Sequence, residues 1–198
     1  MKHMIDSQKF VAAINLFDQS NENDPNKELF EGKTFPKELL YANRMTMRLD
    51  KFCPEAETSL KLAVRCQHIR RWEIPREDYE MNRVGYLKWR NDLKTFHADK
   101  ASEILKDVGY DDELVESVRF LLLKKQLKQN ELTQILEDVV CLVFLEFYFE
   151  KFSKKYNEEK MINILRKTWK KMSAKGQEAA LKLHLSVDSQ ELISKALS

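Results

Sequence analysis

Only four glycines, at positions 32, 85, 109 and 176, occur in 198 residues, and no two are neighbours. A phosphate loop or a dinucleotide fingerprint needs several glycines close together for its tight turn and close backbone approach, so nucleotide folds of those kinds are nearly excluded. Cysteine is also scarce. Cys53, Cys66 and Cys141 are odd in number, lack a C-x-x-C spacing and lie in or beside apolar helical stretches. That speaks against a disulfide framework or a zinc finger and for a reducing cytoplasm. No excess of charge exists either: 34 Lys and Arg against 32 Asp and Glu leave a net charge of +2, which gives no global electrostatic case for nucleic acid or a membrane surface. Long apolar runs are missing as well. The most apolar segment, Val139 to Phe149, is too short to span a bilayer and carries Glu146, and no signal-peptide pattern occurs. Met1-Lys2-His3-Met4 reads as a short addition ahead of a natural start at Met4, which sets His3 aside. Residues 5–198 are expected to form one domain, since the length suits a single sizeable core.

What is present is helical periodicity. Phe10, Ile14 and Phe17 recur at helical spacing before the polar stretch Ser20 to Asn26 around Pro25, which reads as a helix followed by a loop. Pro36 suits the first turn of a second helix through about Leu49. Pro54 opens a third that carries Leu60, Ala63, Val64 and Gln67 toward Trp72, with Pro75 as its stop. A long helix is expected from about Val84 to Val108, then Gly109 as a C-terminal cap, Asp111 or Asp112 as an N-cap, and a helix over roughly Glu113 to Leu127. Asn130 caps the next helix, about 131–152, whose apolar residues spread around almost its whole circumference, as suits a central buried helix. A charged amphipathic helix near Glu158 to Met172 and one or two short helices from Ala174 follow, with Asp188 and Glu191 spaced as a capping box. No alternating strand pattern or internal repeat is seen, so the expected fold is an all-α multi-helix bundle.

Residues 66 to 97 hold the densest chemistry: two histidines, two tryptophans and a set of arginines. At about 100° per residue, His68, Arg71 and Trp72 share one helical face and Tyr86, Arg90, His97 and Ala101 another. In the central helix Gln134, Asp138 and Cys141 lie on one stripe with Glu137 adjacent, and carboxylates at the head of so apolar a helix need a cation, a metal or hydrogen-bond donors. Joined together, His68, His97 and Asp138 form a candidate set for one divalent metal ion of unknown identity. Arg71, Arg76, Arg90 and Lys125 then receive a phosphate or carboxylate. The plain readings stand beside these: histidines that satisfy structural bonds, an Asp138 ion pair, and Trp72 and Trp89 filling gaps between helices. Trp72 is also a candidate ligand platform. The lysine run Lys154-Lys155, Lys167, Lys170-Lys171 and Lys175 reads first as a solvated face and leaves nucleic acid as a minor alternative.

The segments RCQHIRRWEIPR (65–76), GYLKWRNDLKTFHADKASEILKDVGY (85–110) and LEDVVCLVFLEFYFEKF (136–152), with FDQSNENDPN (17–26) and PKELLYANRM (36–45), resemble the uncharacterised family called domain of unknown function 4202. That resemblance covers nearly the whole chain and implies no activity. Histidines ahead of an apolar helix bearing Glu137-Asp138 are also distantly similar to the HD-type metal-dependent phosphohydrolases. That likeness implies an HD-like fold and a metal on His68, His97 and Asp138. The adjacent His-Asp doublet of those enzymes is absent here. Its nearest equivalent is His97-Ala98-Asp99, whose ends point about 200° apart on a helix.

Two functional expectations follow. One is a cytoplasmic protein that binds a small phosphorylated or otherwise anionic ligand and hydrolyses it through a metal, with Glu137 as general base. The other is a non-catalytic helical adaptor that meets a protein or nucleic-acid partner through the Arg/Trp-rich segment 65–90. Whether the chain is an enzyme, and its oligomeric state, are left open by the sequence.

Overall fold

Helix α1 (Lys2–Glu22) opens the fold and runs into the turn Asn23 to Asn26. The computed structural model describes residues 2–198, with side chains from Asp6 on. Met1, the first residue of the stretch read as a short addition, lies outside the described residues. Where the sequence suggested only a loop, two four-residue strands, β1 (Lys27–Phe30) and β2 (Lys33–Pro36), pair antiparallel in the register Lys27 to Pro36 and Phe30 to Lys33. Glu31 and Gly32 form the connection with φ of 48° and 75°, the double left-handed turn that matches strand twist. Strands this short carry too little alternation to register as a period. Pro36 therefore ends a strand instead of sitting inside a helix, and α2 (Lys37–Phe52) starts one residue later.

Helix α3 (Thr58–Arg65) stops well before Trp72. Its last α-type hydrogen bond runs from the Cys66 N–H to the Leu62 carbonyl, and tighter turns carry the chain on to Ile69. A break follows at Arg70, whose φ is 51° and whose backbone N–H donates to the Asn21 side chain at 3.0 Å instead of to a preceding turn. A single 3₁₀ turn, Arg71–Glu73, follows. Helix α4 (Arg83–Asp107) is capped by Asn82, whose side chain accepts from the Gly85 N–H. At Gly85 a Cβ would sit 2.2 Å from the Glu80 carbonyl oxygen, so only glycine admits the returning loop. As expected, Gly109 is left-handed and Asp111 caps α5 (Asp112–Leu122). That helix ends before Leu127 because Lys124, Gln126 and Lys128 turn left-handed, with φ of 53°, 53° and 73°.

Backbone contacts divide the chain into two compact units: residues up to Asp50 with Pro54–Lys125, and Lys51–Cys53 with Gln126–Ser198. In the first unit α5 packs on α4 and α3, and α1 on α3 and α4, around Phe17, Met45, Leu60, Ile69, Leu105 and Leu121. In the second, α6 (Glu131–Val143) continues through a π turn (Phe144–Tyr148) into α7 (Phe149–Ser153). This is the expected central helix, capped by Asn130 and buried at Leu136, Val139, Leu142 and Phe149. Helix α8 (Glu158–Lys171) packs on α10 (Val187–Leu197), and α9 (Ala174–Leu181) on α6. The cap of α10 is Ser186, whose hydroxyl accepts from the Ser189 N–H, and not the Asp188–Glu191 box. The fold is all-α apart from the small hairpin, and among the described residues no helix is long and apolar enough to cross a membrane.

Candidate functional site

In the first unit, the first turn of α2, the turn after α3 and the middle of α4 each send polar groups to one place. Glu38 is 5% exposed. Its backbone N–H donates to Asp24 Oδ2 at 2.9 Å, so a buried aspartate from the loop after α1 supplies the first-turn partner that a helix start needs. Asp24 Oδ1 also accepts from the Asn26 N–H. Asn21 and Asp24, each 1% exposed, thus fix the two backbone segments that carry Arg71 and Glu38.

His68 lies between these segments. Its Nδ1 is 3.2 Å from Glu38 Oε2, and its Nε2 is 3.3 Å from the Arg71 guanidinium. Arginine can only donate, so Nε2 carries the lone pair and the proton is on Nδ1, which donates to the glutamate. Tyr41 stacks on the imidazole at 4.0 Å between centroids. Burial first, and then the charges of Arg71, Arg90, Lys124 and Lys37, hold the His68 pKa well below its ordinary value. The imidazole is therefore neutral, and its contact with Glu38 is a hydrogen bond and not an ion pair. Burial pushes the Glu38 carboxyl up to about 7, opposed by the charges of Arg71 and Lys37.

The His97 ring lies 5.8 Å from that of His68. Its Nδ1 stands 2.8 Å from the Ile69 carbonyl oxygen, and burial, followed by the influence of His68 and Arg71, keeps it neutral too. The Arg71 guanidinium carbon lies over the Trp89 ring at 4.8 Å, and the indole N–H of Trp89 donates to the Ile74 carbonyl, so ring and guanidinium are both held. Arg90 takes no carboxylate partner among the described residues. The cluster thus combines two neutral imidazoles, one carboxyl whose pKa is pushed up to about 7, and the charges of Arg71, Arg90, Lys124 and Lys37. Such surroundings favour an incoming anion.

The sequence had singled out some of these residues and not others. Of these, His68, His97 and Arg71 lie beside one another, and Arg90 acts on both rings by its charge. Trp72 lies half-buried in the 3₁₀ turn, and Trp89 is the ring that meets Arg71. Arg76 donates to the carbonyls of Tyr79, Glu80 and Asn82, which holds the loop entering α4. Lys125 is exposed; its neighbour Lys124, with Lys37, acts on His68. Arg70 turns to the surface and pairs with Glu73.

Asp138 and Glu137 belong to the second unit, both buried. Asp138 accepts from the Ser173 backbone N–H and hydroxyl and from Gln134, while Glu137 lies 3.4 Å from the Lys171 ammonium. Among the described residues no group of three or more His, Cys, Asp or Glu side chains stands together as a metal's ligand set. Of the donors on His68, His97 and Asp138, only His97 Nε2 lacks a hydrogen bond. Cys66 is buried, donates weakly to the Ala63 carbonyl and has its thiol pKa pushed up by burial, so it is inert. Glu73, Asp78, Glu80 and Asp92 border an open cleft of about 560 Å³ at the start of α4, whose charge is wrong for an anion.

Sequence reasoning missed Glu38, Tyr41, Lys124, Asn21 and Asp24. Glu38 and Tyr41 sit three residues apart on α2, and that spacing was the available signal; their partners are about thirty positions away and are joined only by the fold. No curated protein and no solved structure matches the chain. A family model does match, the one described as Domain of unknown function (DUF4202), over residues 11–193, and the chain belongs to that family.

Proposed function

We propose that the first unit binds a small phosphorylated or otherwise anionic ligand at the cluster of Glu38, His68, Arg71, Arg90 and His97. The observation that carries this reading is the imbalance of the cluster. Arg71, Arg90, Lys124 and Lys37 all act on His68, and the carboxyl hydrogen-bonded to that ring is itself raised to about 7. Arg71, held over Trp89, offers a planar fork suited to two oxygens of one phosphate or carboxylate. Glu38 and His68 form a hydrogen-bonded acid–base pair beside it, so the same groups supply proton transfer if the ligand is turned over. Three free thiols suit a reducing cytoplasm.

The HD-type likeness, with a metal on His68, His97 and Asp138 and Glu137 as base, draws no support from these hydrogen bonds, because His68 and Asp138 already spend their donor atoms on protein partners. An adaptor surface built on Arg70, Arg71, Trp72 and Arg76 is likewise disfavoured by the inward course of Arg71 and the loop bonds of Arg76.

Thermal unfolding with inorganic phosphate, pyrophosphate and a set of phosphomonoesters tests the reading. A ligand at about a hundred times its Kd stabilises the folded chain by about 2.7 kcal/mol. The stabilisation is expected to vanish in Arg71→Ala and Arg90→Ala. Near-stoichiometric metal in the isolated protein, lost in His97→Ala, would replace this reading with the metal-dependent one.

A further inference from the structure

One atom of the cluster says more about the ligand, and the inference rests on the anion-site reading above. His97 is 4% exposed in the middle of α4, with Nδ1 2.8 Å from the Ile69 carbonyl oxygen. A carbonyl only accepts, so the proton is on Nδ1 and Nε2 presents a bare lone pair. That nitrogen is buried and meets no donor among the described residues. A buried acceptor left unpaired is costly, and a bound group that donates to it removes the cost.

Beside the His97 ring stands that of His68, at 5.8 Å between centroids, and the Arg71 guanidinium, 3.3 Å from His68 Nε2, acts on both rings. The two kinds of group ask for different things from one ligand. Guanidinium groups want ionised oxygens, whereas Nε2 repels an ionised oxygen and wants an O–H or N–H. A phosphate or phosphomonoester that keeps one P–OH meets both demands at once. A sulfate, fully ionised at neutral pH, meets only the first.

We infer that His97 Nε2 accepts a hydrogen bond from a protonated phosphate oxygen, so that the site selects oxyanions bearing a P–OH over oxyanions without a proton, with Arg71 and Arg90 on the ionised oxygens. His97 is then a specificity-determining residue as well as a tether to Ile69. The two roles separate because they use different nitrogens. In His97→Asn the shorter amide keeps an N–H near the position of Nδ1 for the Ile69 carbonyl and removes the acceptor at Nε2.

Calorimetric titration of the full chain with inorganic phosphate and with sulfate, near neutral pH, reads the selectivity. The wild type is expected to bind phosphate at least about tenfold more tightly than sulfate, and His97→Asn to bring that ratio close to one by losing phosphate affinity alone. If the variant fails to fold, the ¹⁵N resonance of wild-type His97 Nε2 serves instead, and should move with phosphate and stay still with sulfate. Equal affinity for the two anions, unchanged in His97→Asn, overturns the inference while leaving the anion site intact, since a buried water then satisfies Nε2. Absence of binding by either anion overturns both.

Discussion

Glu38 is the residue whose ionisation the fold perturbs most usefully, and its effect on stability has a definite sign. Its folded pKa, about 7, lies above the ordinary 4.5, so between those values the folded chain holds a proton that the unfolded chain has released. Stability from this group is fully present below pH 4.5 and is lost as pH rises through about 7. The two histidines act in the opposite direction. Their folded pKa values lie well below 6.5, so their contribution falls away as pH drops below that value, where the unfolded chain takes up protons first. Glu38→Gln removes the first effect and leaves the second. Relative to the wild type, the variant should therefore gain on the order of 3 kcal/mol between pH 4.5 and about 7, read from urea unfolding at several pH values. A difference that stays flat over this window would mean that Glu38 is ionised throughout in the folded protein.

Elements of this fold are joined at their ends by side chains from elsewhere in the chain. Asp138 of α6 holds the start of α9 through Ser173, and Gly176 lies so close that a Cβ there would stand 2.6 Å from the carboxyl carbon. Gly176→Ala is thus expected to destabilise the second unit by about 1–3 kcal/mol despite the better helix propensity of alanine; a stabilised variant in chemical denaturation would contradict this packing. Asn21 plays the matching part in the first unit, since its amide oxygen fixes the left-handed Arg70 that aims Arg71 inward. Asn21→Ala should cost about 1–3 kcal/mol and weaken phosphate binding without touching the ligand, and unchanged affinity in a titration would show that Arg71 is aimed by other contacts. The helices themselves were largely legible in the sequence: the caps Asn130 and Asp111, the stop at Gly109 and the apolar run of 131–152 are local signals that act within a turn or two. The hairpin of residues 27–36 and the break at Arg70 were not, because four-residue strands show no period and the Arg70 turn depends on Asn21, which is 49 positions away.

Across the whole molecule a net charge of +2 hides a local excess of cations in one unit and an acidic cleft beside the loop that enters α4. The candidate site shows the same limit on sequence reading. His68 with Arg71, and Arg90 with His97, were visible as helical faces, yet Glu38, Tyr41 and Lys124 reach that place through tertiary packing alone. The carboxylate that looked most chemical in sequence, Asp138, makes its hydrogen bonds to Ser173 and Gln134, and no spacing rule reveals the former. The central claim is that Arg71 and its neighbours receive an anion in the first unit. Its most direct test is equilibrium titration of inorganic phosphate into the wild-type chain and into Arg71→Ala, at low and moderate salt. Saturable binding of one phosphate per chain, weakened at least about tenfold in the variant, is the predicted result. Binding that Arg71→Ala leaves unchanged, or no binding to the wild type, would contradict the account.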